Sequence, residues 1–428
     1  MADQFLARHE HPPFPAAPAP VIASSRITGF AQMDAKTRVQ TLMAKGILTP
    51  KEAQLLLQSG ALPLEQGEHF IENCVGGFTL PLGIATNFLI DQEEVFVPMA
   101  VEESSVVAAA SHGAKLARAG GGFVSTPTQT IATCQIQIFP AEGVDLLGLF
   151  ANGLKEQMVS WAQSTHPRLL ARGGGVQSIE LRALTKPGMY VAHINVDTKE
   201  AMGANIVNTM AEEVGRRLPE VVPCRIGCRI LTNLTTHRLT KVSCEVPFEA
   251  LARPGYTGEE AAERICQVWE FADVDPFRAA THNKGVMNGI DPVVIATGND
   301  WRAVEAGCHA YAALSGTYKP LTTWSLTAHK TLRGEICVPI AVGTVGGVTR
   351  LHPAVSTCLK LMGSPSSAKL SAIIASVGLA QNLSALRALG CEGIQKGHMA
   401  LHEKNLDMLR QYDHLPSISV VGHGTQSE

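Results

Sequence analysis

The region from residue 130 to residue 235 most constrains the fold, because its pattern differs from that of the sequence on either side. Residues 131–139 alternate apolar and polar side chains, as a half-buried strand does. The region also holds three further strand-like runs, at 179–184, 189–196 and 225–231, and two helical runs, one that leads to Arg172 and one at 201–214. We therefore predict a small α+β domain inserted over residues 130–235.

The flanking sequence predicts one larger mixed α/β domain in two parts, residues 26–129 and 236–396. Its clearest elements are two strands and three helices, at 80–89, 95–99, 106–119, 259–271 and 366–389. Residues 1–25 carry a proline and alanine repeat, which predicts a mobile N-terminal arm. Another helical run at 392–409 leads into a short C-terminal segment, residues 397–428. The predicted fold class is α+β.

Length and composition bound the size of the core and argue against one class of partner. The 428 residues exceed the size at which a single core usually stops growing, which agrees with two domains. Hydrophobic residues make up 45% of the chain but aromatic residues only 5%, so the core must be small and aliphatic. The formal charge of −3, without a basic stripe, argues against a nucleic-acid partner.

The chain reads as a cytoplasmic protein. Its ten cysteines are scattered without a CxxC pair, which is typical of reduced thiols, and Cys224 and Cys228 lack further metal ligands nearby. The most apolar run, residues 370–389, is interrupted by polar side chains, so no membrane span is expected. The N-terminus does not resemble a signal peptide.

A polar stretch from His282 to Pro292 is followed by the apolar run 293–296 and by Thr297-Gly298-Asn299-Asp300. Its glycines and short apolar run favour turns around a strand-like core that carries Lys284 and Asp300. The alternative is a glycine-rich loop in which Asp300 caps the helix that starts at Trp301.

Four side chains are candidates for chemistry: Glu103, Lys284, Asp300 and His398. A lysine between Asn and Gly can bring a cation to a developing oxyanion, although an exposed loop lysine has the same appearance. Glu103 follows a strand and precedes a helix, so it is either a buried proton donor or a carboxylate that favours the helix dipole.

His398 and His402 lie four residues apart and share a helical face. Position 399 is Met, so the glutamate of the zinc motif HExxH is missing, and a proton donor is the better interpretation than a metal ligand. No GxGxxG follows a predicted strand, which argues against a Rossmann cofactor site.

Taken together, these segments resemble the 3-hydroxy-3-methylglutaryl-coenzyme A (HMG-CoA) reductase family, in its soluble bacterial class II form. The resemblance extends from about residue 27 to residue 405 and rests on six runs in the same order. The runs are Glu72-Asn73-Cys74-Val75-Gly76, Val101-Glu102-Glu103, Ala201-Met202-Gly203-Ala204-Asn205, His282-Asn283-Lys284-Gly285, Thr297-Gly298-Asn299-Asp300 and Gly397-His398-Met399.

The resemblance implies reduction of the thioester to mevalonate and free coenzyme A by two successive hydride transfers, or the reverse reaction. It implies that Lys284 stabilises the hemithioacetal oxyanion and that Glu103 protonates the aldehyde oxygen. By the same resemblance Asp300 holds Lys284 and Glu103 in register, and His398 protonates the departing thiolate. No metal is implied.

The resemblance also implies binding residues. The positions that match those holding the hydroxymethylglutaryl group are Ser105, Asn233, Arg278, Asn288 and Gln381. The inserted domain would be ferredoxin-like and bind the dinucleotide without a Rossmann fold, and residues 397–428 would form a short flap. The cofactor-binding positions are Glu200, Met202, Gly203, Asn205, His166 and Arg168, with Glu200 standing where the family motif has Asp.

Two further expectations concern cofactor and assembly. Relatives that prefer NAD carry an acidic residue near position 166, whereas this chain has His166, Arg168 and Arg172, so NADPH is favoured over NADH. The resemblance implies a homodimer or larger homo-oligomer with the active site at the interface. The alternatives are another coenzyme A thioester enzyme, such as an acyltransferase with a cysteine nucleophile, and a non-catalytic protein that binds a coenzyme A ligand.

Overall fold

The structure is a computed structural model that describes residues 22–60 and 62–393. His398 and the rest of the expected flap lie outside the described residues, as do the first 21 residues of the expected N-terminal arm.

The β-strands of the described residues fall into two separate sheets. They are β1 (Leu82–Ile90), β2 (Glu93–Ala100), β3 (Phe123–Thr126), β4 (Ile131–Pro140), β5 (Gly175–Ala183), β6 (Tyr190–Asp197), β7 (Cys224–Thr232), β8 (Leu239–Pro247), β9 (Thr322–Leu326) and β10 (Thr331–Pro339).

The α-helices of the described residues pack on these sheets and on one another. They are α1 (Ala35–Ala44), α2 (Pro50–Leu57), α3 (Leu64–Phe70), α4 (Val106–Arg118), α5 (Leu146–Leu149), α6 (Lys155–Ser164), α7 (Pro167–Ala171), α8 (Ala204–Val221), α9 (Phe248–Leu251), α10 (Gly258–Val274), α11 (Pro276–Ala296), α12 (Trp301–Ala312), α13 (Gly347–Leu351), α14 (Pro353–Leu361) and α15 (Ser367–Cys391).

The large sheet has the strand order β2-β1-β3-β8-β10-β9. Its neighbouring strands are antiparallel except β1 and β3, which run parallel. Helices α4, α10, α11 and α15 pack on the sheet and on one another, and they share an aliphatic core that includes Val97, Ile290 and Leu383. This core fixes α4, which begins shortly after Glu103, and α11, which carries Lys284.

The small sheet has the order β5-β6-β4-β7, and all of its pairs are antiparallel. With α6 between β4 and β5 and α8 between β6 and β7, it has the ferredoxin-like βαββαβ arrangement. It has its own core, which includes Ile136, Ile194 and Val214. Because β3 and β8 are neighbours in the large sheet, the small sheet is inserted between them. The fold-class prediction is confirmed.

Helix α11 corrects one sequence prediction. The expected strand and turns over 282–296 are part of one helix of 21 residues, Pro276–Ala296. Gly289 lies in this helix where it packs on α15, since a Cβ there would lie 2.6 Å from the carbonyl oxygen of Val377. Pro292 is buried inside the helix. The close packing therefore outweighs the poor helix propensity of glycine and proline.

Helix α15 lies at the centre of the large core. Among the described residues it alone is long and apolar enough to cross a membrane, but 72% of its most apolar window is buried inside the protein. The burial explains its composition: Leu370, Ile373 and Val377 pack against the sheet and the neighbouring helices.

Candidate active site

The structure brings Lys284 and Glu103 together. Lys284 lies on α11 and Glu103 in the loop between β2 and α4, and the Lys284 Nζ donates to Glu103 Oε2 at 2.8 Å. Their side chains are 60% and 37% exposed, so the pair opens to solvent. Glu103 is therefore not the buried carboxyl that the sequence argument considered, and it also precedes the first turn of α4.

The two residues before Lys284 hold its helix in place. The buried Asn283 side chain donates to the carbonyl of Lys319 at 2.9 Å and accepts from the backbone N–H of Leu321 at 2.8 Å. His282 Nε2 lies 2.8 Å from the hydroxyl of Thr322. Lys284 thus extends from a rigid backbone, although its own side chain is exposed.

Asp300 begins the next helix, α12. Its side chain accepts from the backbone N–H of Ala303 at 3.1 Å, which confirms the capping interpretation, and lies 3.8 Å from Arg302. The hydrogen bonds and ion pairs found in residues 22–60 and 62–393 do not join Asp300 to Lys284 or Glu103. The part that Asp300 plays in that pair stays a prediction.

Two of the expected substrate positions lie on α11. Arg278 is half-buried, and burial lowers the pKa of its guanidinium. The side chain of Asp275 accepts from its backbone N–H at 3.1 Å, at the start of the helix. Asn288 lies one turn beyond Lys284 on the same face. Pro292 has no N–H, so it leaves the carbonyl of Asn288 without its helical donor.

Ser105 and Gln381 carry features that often mark a functional position. Ser105 has φ 73°, a left-handed conformation that costs energy for a non-glycine residue, and it immediately precedes α4. Gln381 is 6% exposed, and its Oε1 is buried without a hydrogen-bond partner among the described residues. A ligand hydroxyl would satisfy that oxygen.

Asn233 lies elsewhere, in the connection from β7 to β8, and is exposed. Its carbonyl approaches α12, because a Cβ on Gly307 would lie 2.6 Å from the Asn233 oxygen. The contacts of the described residues do not link it to the Glu103 and Lys284 pair.

The expected cofactor motif leads into α8. Gly203 is the N-cap residue, with φ 107°, and no side chain caps the helix. A Cβ at Gly203 would lie 2.7 Å from Thr198 Cγ2, so the close backbone approach requires glycine. The free N–H groups at the start of this 18-residue helix can bind a phosphate. Met202 precedes this terminus, and Asn205 lies exposed in the first turn of α8.

The basic segment, residues 166–172, includes α7 and lies beside this motif. A Cβ on Gly174 would lie 2.7 Å from the carbonyl oxygen of Asp197, which ends the strand before Glu200. His166 is the N-cap residue of α7, its Nδ1 is 2.7 Å from the Thr165 hydroxyl, and burial lowers its pKa. Arg168 is exposed in the same helix, and its contact with a 2′-phosphate stays a prediction.

Sequence reasoning missed two groups near these positions. Arg238 is 0% exposed and donates to the carbonyl of Met202 at 3.1 Å. Asp291 is half-buried, and burial together with the neighbouring Glu305 raises its pKa to about 9. The sequence showed neither, because an isolated Arg or Asp gives no signal of burial.

The described residues contain no group of three or more His, Cys, Asp or Glu side chains that could hold a metal ion. Burial raises the pKa of the Cys134 and Cys358 thiols to about 12, which is the opposite of an activated nucleophile. The arrangement can instead place a cation and a carboxyl at one carbonyl oxygen, and the start of α8 offers backbone N–H groups without a side-chain cap.

Comparison with known proteins agrees with this chemistry. The family model described as hydroxymethylglutaryl-coenzyme A reductase matches residues 34–403. The chain is 43% identical over 388 residues to the 3-hydroxy-3-methylglutaryl-coenzyme A reductase of Archaeoglobus fulgidus, covering 90% of this chain and 87% of that protein. A probable reductase of Borreliella burgdorferi is 35% identical over 343 residues, which cover 80% and 78% of the two chains.

A solved structure shows the same fold. The class II reductase of Streptococcus pneumoniae, bound to NADPH in open conformations, has a TM-score of 0.81 and 38% identity, covering 85% of this chain and 99% of that chain. These matches favour neither the acyltransferase nor the non-catalytic alternative. The chain belongs to the hydroxymethylglutaryl-coenzyme A reductase family, as a class II, bacterial-type, NAD(P)H-dependent oxidoreductase that reduces HMG-CoA to mevalonate and free coenzyme A.

Proposed function

We propose that Lys284 and Glu103, with Asp300 and His398, carry the chemistry of this reduction. The observation that carries the proposal is the 2.8 Å contact between Lys284 Nζ and Glu103 Oε2, which joins two residues 181 positions apart in the sequence. A cation and a carboxyl at one point can stabilise a developing oxyanion and then supply its proton.

The reduction needs two hydrides, and each would come from a separate molecule of NAD(P)H. Lys284 stabilises the oxyanion of the hemithioacetal that follows the first transfer. Collapse of this intermediate breaks the carbon–sulfur bond, and His398 gives its proton to the leaving thiolate. Glu103 then protonates the aldehyde oxygen as the second hydride reaches the carbon, and Asp300 keeps Lys284 and Glu103 in register.

The position of the chain at residue 393 supports the part given to His398. Ser384 on α15 donates to the carbonyl of Ala109 on α4, so the last turns of α15 lie near the start of α4, which Glu103 precedes. His398 is five positions after Gly393, and five residues of fully extended chain span at most about 17 Å.

Replacing Lys284 by alanine tests the proposal. We expect kcat to fall by about 10²- to 10³-fold, as for the loss of an oxyanion donor, while the exposed side chain leaves folding intact. The assay follows the absorbance of reduced nicotinamide with HMG-CoA, and Lys36→Ala, at an exposed position on α1, is the control. Activity of the Lys284 variant equal to that of the control would exclude the oxyanion role.

We also propose that the small sheet binds the dinucleotide and that NADPH is preferred. Support comes from the uncapped start of α8 at Gly203 and from the neighbouring basic segment, residues 166–172, that carries His166 and Arg168. Met202 and Asn205 lie beside that start, whereas the carboxylate of Glu200, the remaining expected cofactor position, accepts hydrogen bonds from Thr344 and Ser367. The substrate would lie on the other side of the site, against Ser105, Arg278, Asn288, Gln381 and Asn233.

Cofactor choice is tested at Arg168. We expect wild type to have the higher kcat/KM with NADPH, and Arg168→Ala to raise the KM for NADPH by about tenfold while leaving that for NADH nearly unchanged. Arg26→Ala removes an exposed arginine near the N-terminus and serves as the matched control. A wild-type preference for NADH would refute this part of the proposal.

Two further parts of the proposal concern the oligomeric state and the cellular location of the protein. Very exposed apolar side chains, with Val75 98%, Phe78 93% and Phe277 86% exposed, support a homo-oligomer with the active site at its interface. All ten cysteines are free thiols in the structure, which supports a cytoplasmic location.

A further inference from the structure

The connection between the two sheets contains a buried cation, Arg238. It lies just before β8, where the chain returns from the small sheet to the large one, and it is 0% exposed. Its guanidinium donates to the carbonyl oxygens of Met202 and Val342 and to the hydroxyl of Ser367 at 2.8 Å. Burial of a charged guanidinium costs free energy unless hydrogen bonds compensate for the lost water. The position of Arg238 between the two sheets therefore needs a specific reason.

Glu200 completes this connection from the side of the small sheet. Its Oε2 accepts from the backbone N–H of Ser367 at 2.7 Å and from the hydroxyl of Thr344 at 3.0 Å. Its backbone carbonyl accepts from the N–H of Thr344 at 2.9 Å. Because Ser367 is the first residue of α15, the carboxylate also lies at the positive end of that helix dipole.

The charges of Glu200 and Arg238 meet at Ser367. Its backbone N–H binds the carboxylate, while its hydroxyl accepts from the guanidinium and donates to the carbonyl of Val342. Desolvation lowers the pKa of Arg238 to about 10, so the side chain is still a cation at neutral pH, and Glu200 is one of the two carboxylates that oppose this shift.

The same connection reaches the catalytic side. Gly343 packs against Met202 so closely that a Cβ would lie 2.4 Å from the Met202 nitrogen. The N–H of Gly343 donates to the side chain of Asn299 at 2.8 Å, and Asn299 immediately precedes Asp300. One continuous set of contacts therefore joins the expected cofactor motif to the residue before Asp300.

We propose that Glu200, Arg238, Thr344 and Ser367 form an interdomain clasp that positions the cofactor-binding sheet against the catalytic residues. Glu200 then acts as a positioning residue, with its carboxylate engaged by Thr344 and Ser367 rather than by the cofactor. The proposal rests on the cofactor site proposed above at the start of α8. Hydride transfer needs its reacting atoms at about 3–3.5 Å, so a small change in the relative position of the two sheets slows it strongly.

The clasp is tested with Glu200→Gln and Thr344→Val in the full-length enzyme. Two quantities are measured: the Kd of NADPH, from nicotinamide fluorescence without HMG-CoA, and the primary deuterium isotope effect on kcat, with NADPH deuterated at the transferred position. We expect kcat to fall by about tenfold in Glu200→Gln and less in Thr344→Val, with a larger isotope effect in both and a Kd within about twofold of wild type.

Other results would overturn the clasp. Weaker NADPH binding with an unchanged isotope effect would mean that Glu200 contacts the cofactor directly, and wild-type kinetics in both variants would exclude any positioning role. Arg238→Lys gives a further comparison, since it keeps the charge but loses the fork that reaches three acceptors, and we expect it to behave like Glu200→Gln. Thermal melting shows whether each variant is folded.

The test separates the clasp from the cofactor site on which it rests. If NADPH binds elsewhere, Arg168→Ala will leave the KM for NADPH unchanged, whatever the clasp variants do. If the site is right and the clasp is wrong, Arg168→Ala will raise that KM, while Glu200→Gln will leave the isotope effect at its wild-type value.

Discussion

His282 shows how a buried residue supports the exposed Lys284, for which we propose a catalytic role. It is 1% exposed, and its Nε2 lies 2.8 Å from the hydroxyl of Thr322, which donates to Asn382 at 2.9 Å. The indole N–H of Trp324 donates to the same Asn382 oxygen at 2.8 Å. This buried network joins α11 to β9 and α15, two residues before Lys284.

The pH dependence of the unfolding free energy tests the protonation state of His282 in the folded protein. Burial, with a smaller contribution from Arg278, lowers its pKa from 6.5 to about 3, so the folded protein holds it neutral while the unfolded chain takes up a proton below pH 6.5. The stability that it contributes is complete above pH 6.5 and is lost as the pH falls towards about 3, at up to about 1.4 kcal/mol per pH unit.

Urea unfolding of wild type and His282→Gln at about pH 7.5 and about pH 5 measures this contribution. We expect the variant to be less stable than wild type at the higher pH and to lose less stability on acidification. The comparison isolates His282, because His112, whose pKa burial and nearby cations lower to about 4, is present in both proteins. An equal loss in the two proteins would show that His282 is not held neutral.

At this scale the sequence predicted part of the site. Glu103 and Lys284 stood in recognisable motifs, and the structure brings them into contact. Arg238 and Asn382 were not predicted, because their importance lies in burial and in partners more than 30 positions away along the chain. Distant contacts of that kind leave no local periodicity in a single sequence.

At the scale of elements, α11 offers a matched pair of glycines. A Cβ at Gly289 would lie 2.6 Å from the carbonyl oxygen of Val377 on α15, whereas a Cβ at Gly285 would have no heavy atom within 4 Å outside its own helix and chain neighbours. Gly289→Ala should therefore destabilise the protein by about 1–3 kcal/mol through overpacking. Gly285→Ala should stabilise it by up to about 1 kcal/mol through helix propensity.

Urea or thermal unfolding of the two variants checks this prediction, with stability rather than activity as the measurement because Gly285 adjoins Lys284. Opposite shifts are expected from the same substitution four residues apart in one helix. Destabilisation of both to the same extent would mean that propensity within α11, and not its packing on α15, determines the effect.

Most strands and several helices were predictable from local pattern. Strand β4 alternates clearly, and α2 begins with the capping box of Thr49 and Glu52 and a proline in its first turn. The helix over Pro276–Ala296 was not predicted, since its glycines and Pro292 signal turns, and only contact with α15 shows why they are tolerated. Strands β3, β9 and β10 were also missed, although β3 and β10 are interior strands of the large sheet.

At the scale of the whole molecule, the two sheets divide the proposed work. The large sheet carries Lys284 and Glu103 through α11 and the start of α4, and the small sheet presents the uncapped start of α8. Each has its own core, so their relative position depends on the segments between them, where Glu200 and Arg238 lie. Insertion of the small sheet between neighbouring strands places those segments beside the site.

Assembly is the last property that the surface predicts. The segment around Val75 and Phe78 has no helix or strand and exposes these side chains at 98% and 93%, while Phe277, beside Arg278, is 86% exposed. Phe78→Asp would place a charge in an apolar contact, so we expect weaker self-association and lower activity at low protein concentration, with partial recovery at high concentration. Sedimentation and steady-state assays over the same concentration range measure both. Ile230→Asp, at an exposed apolar position on β7, is the control. A Phe78→Asp variant that assembles and reacts like this control would exclude that segment from the interface.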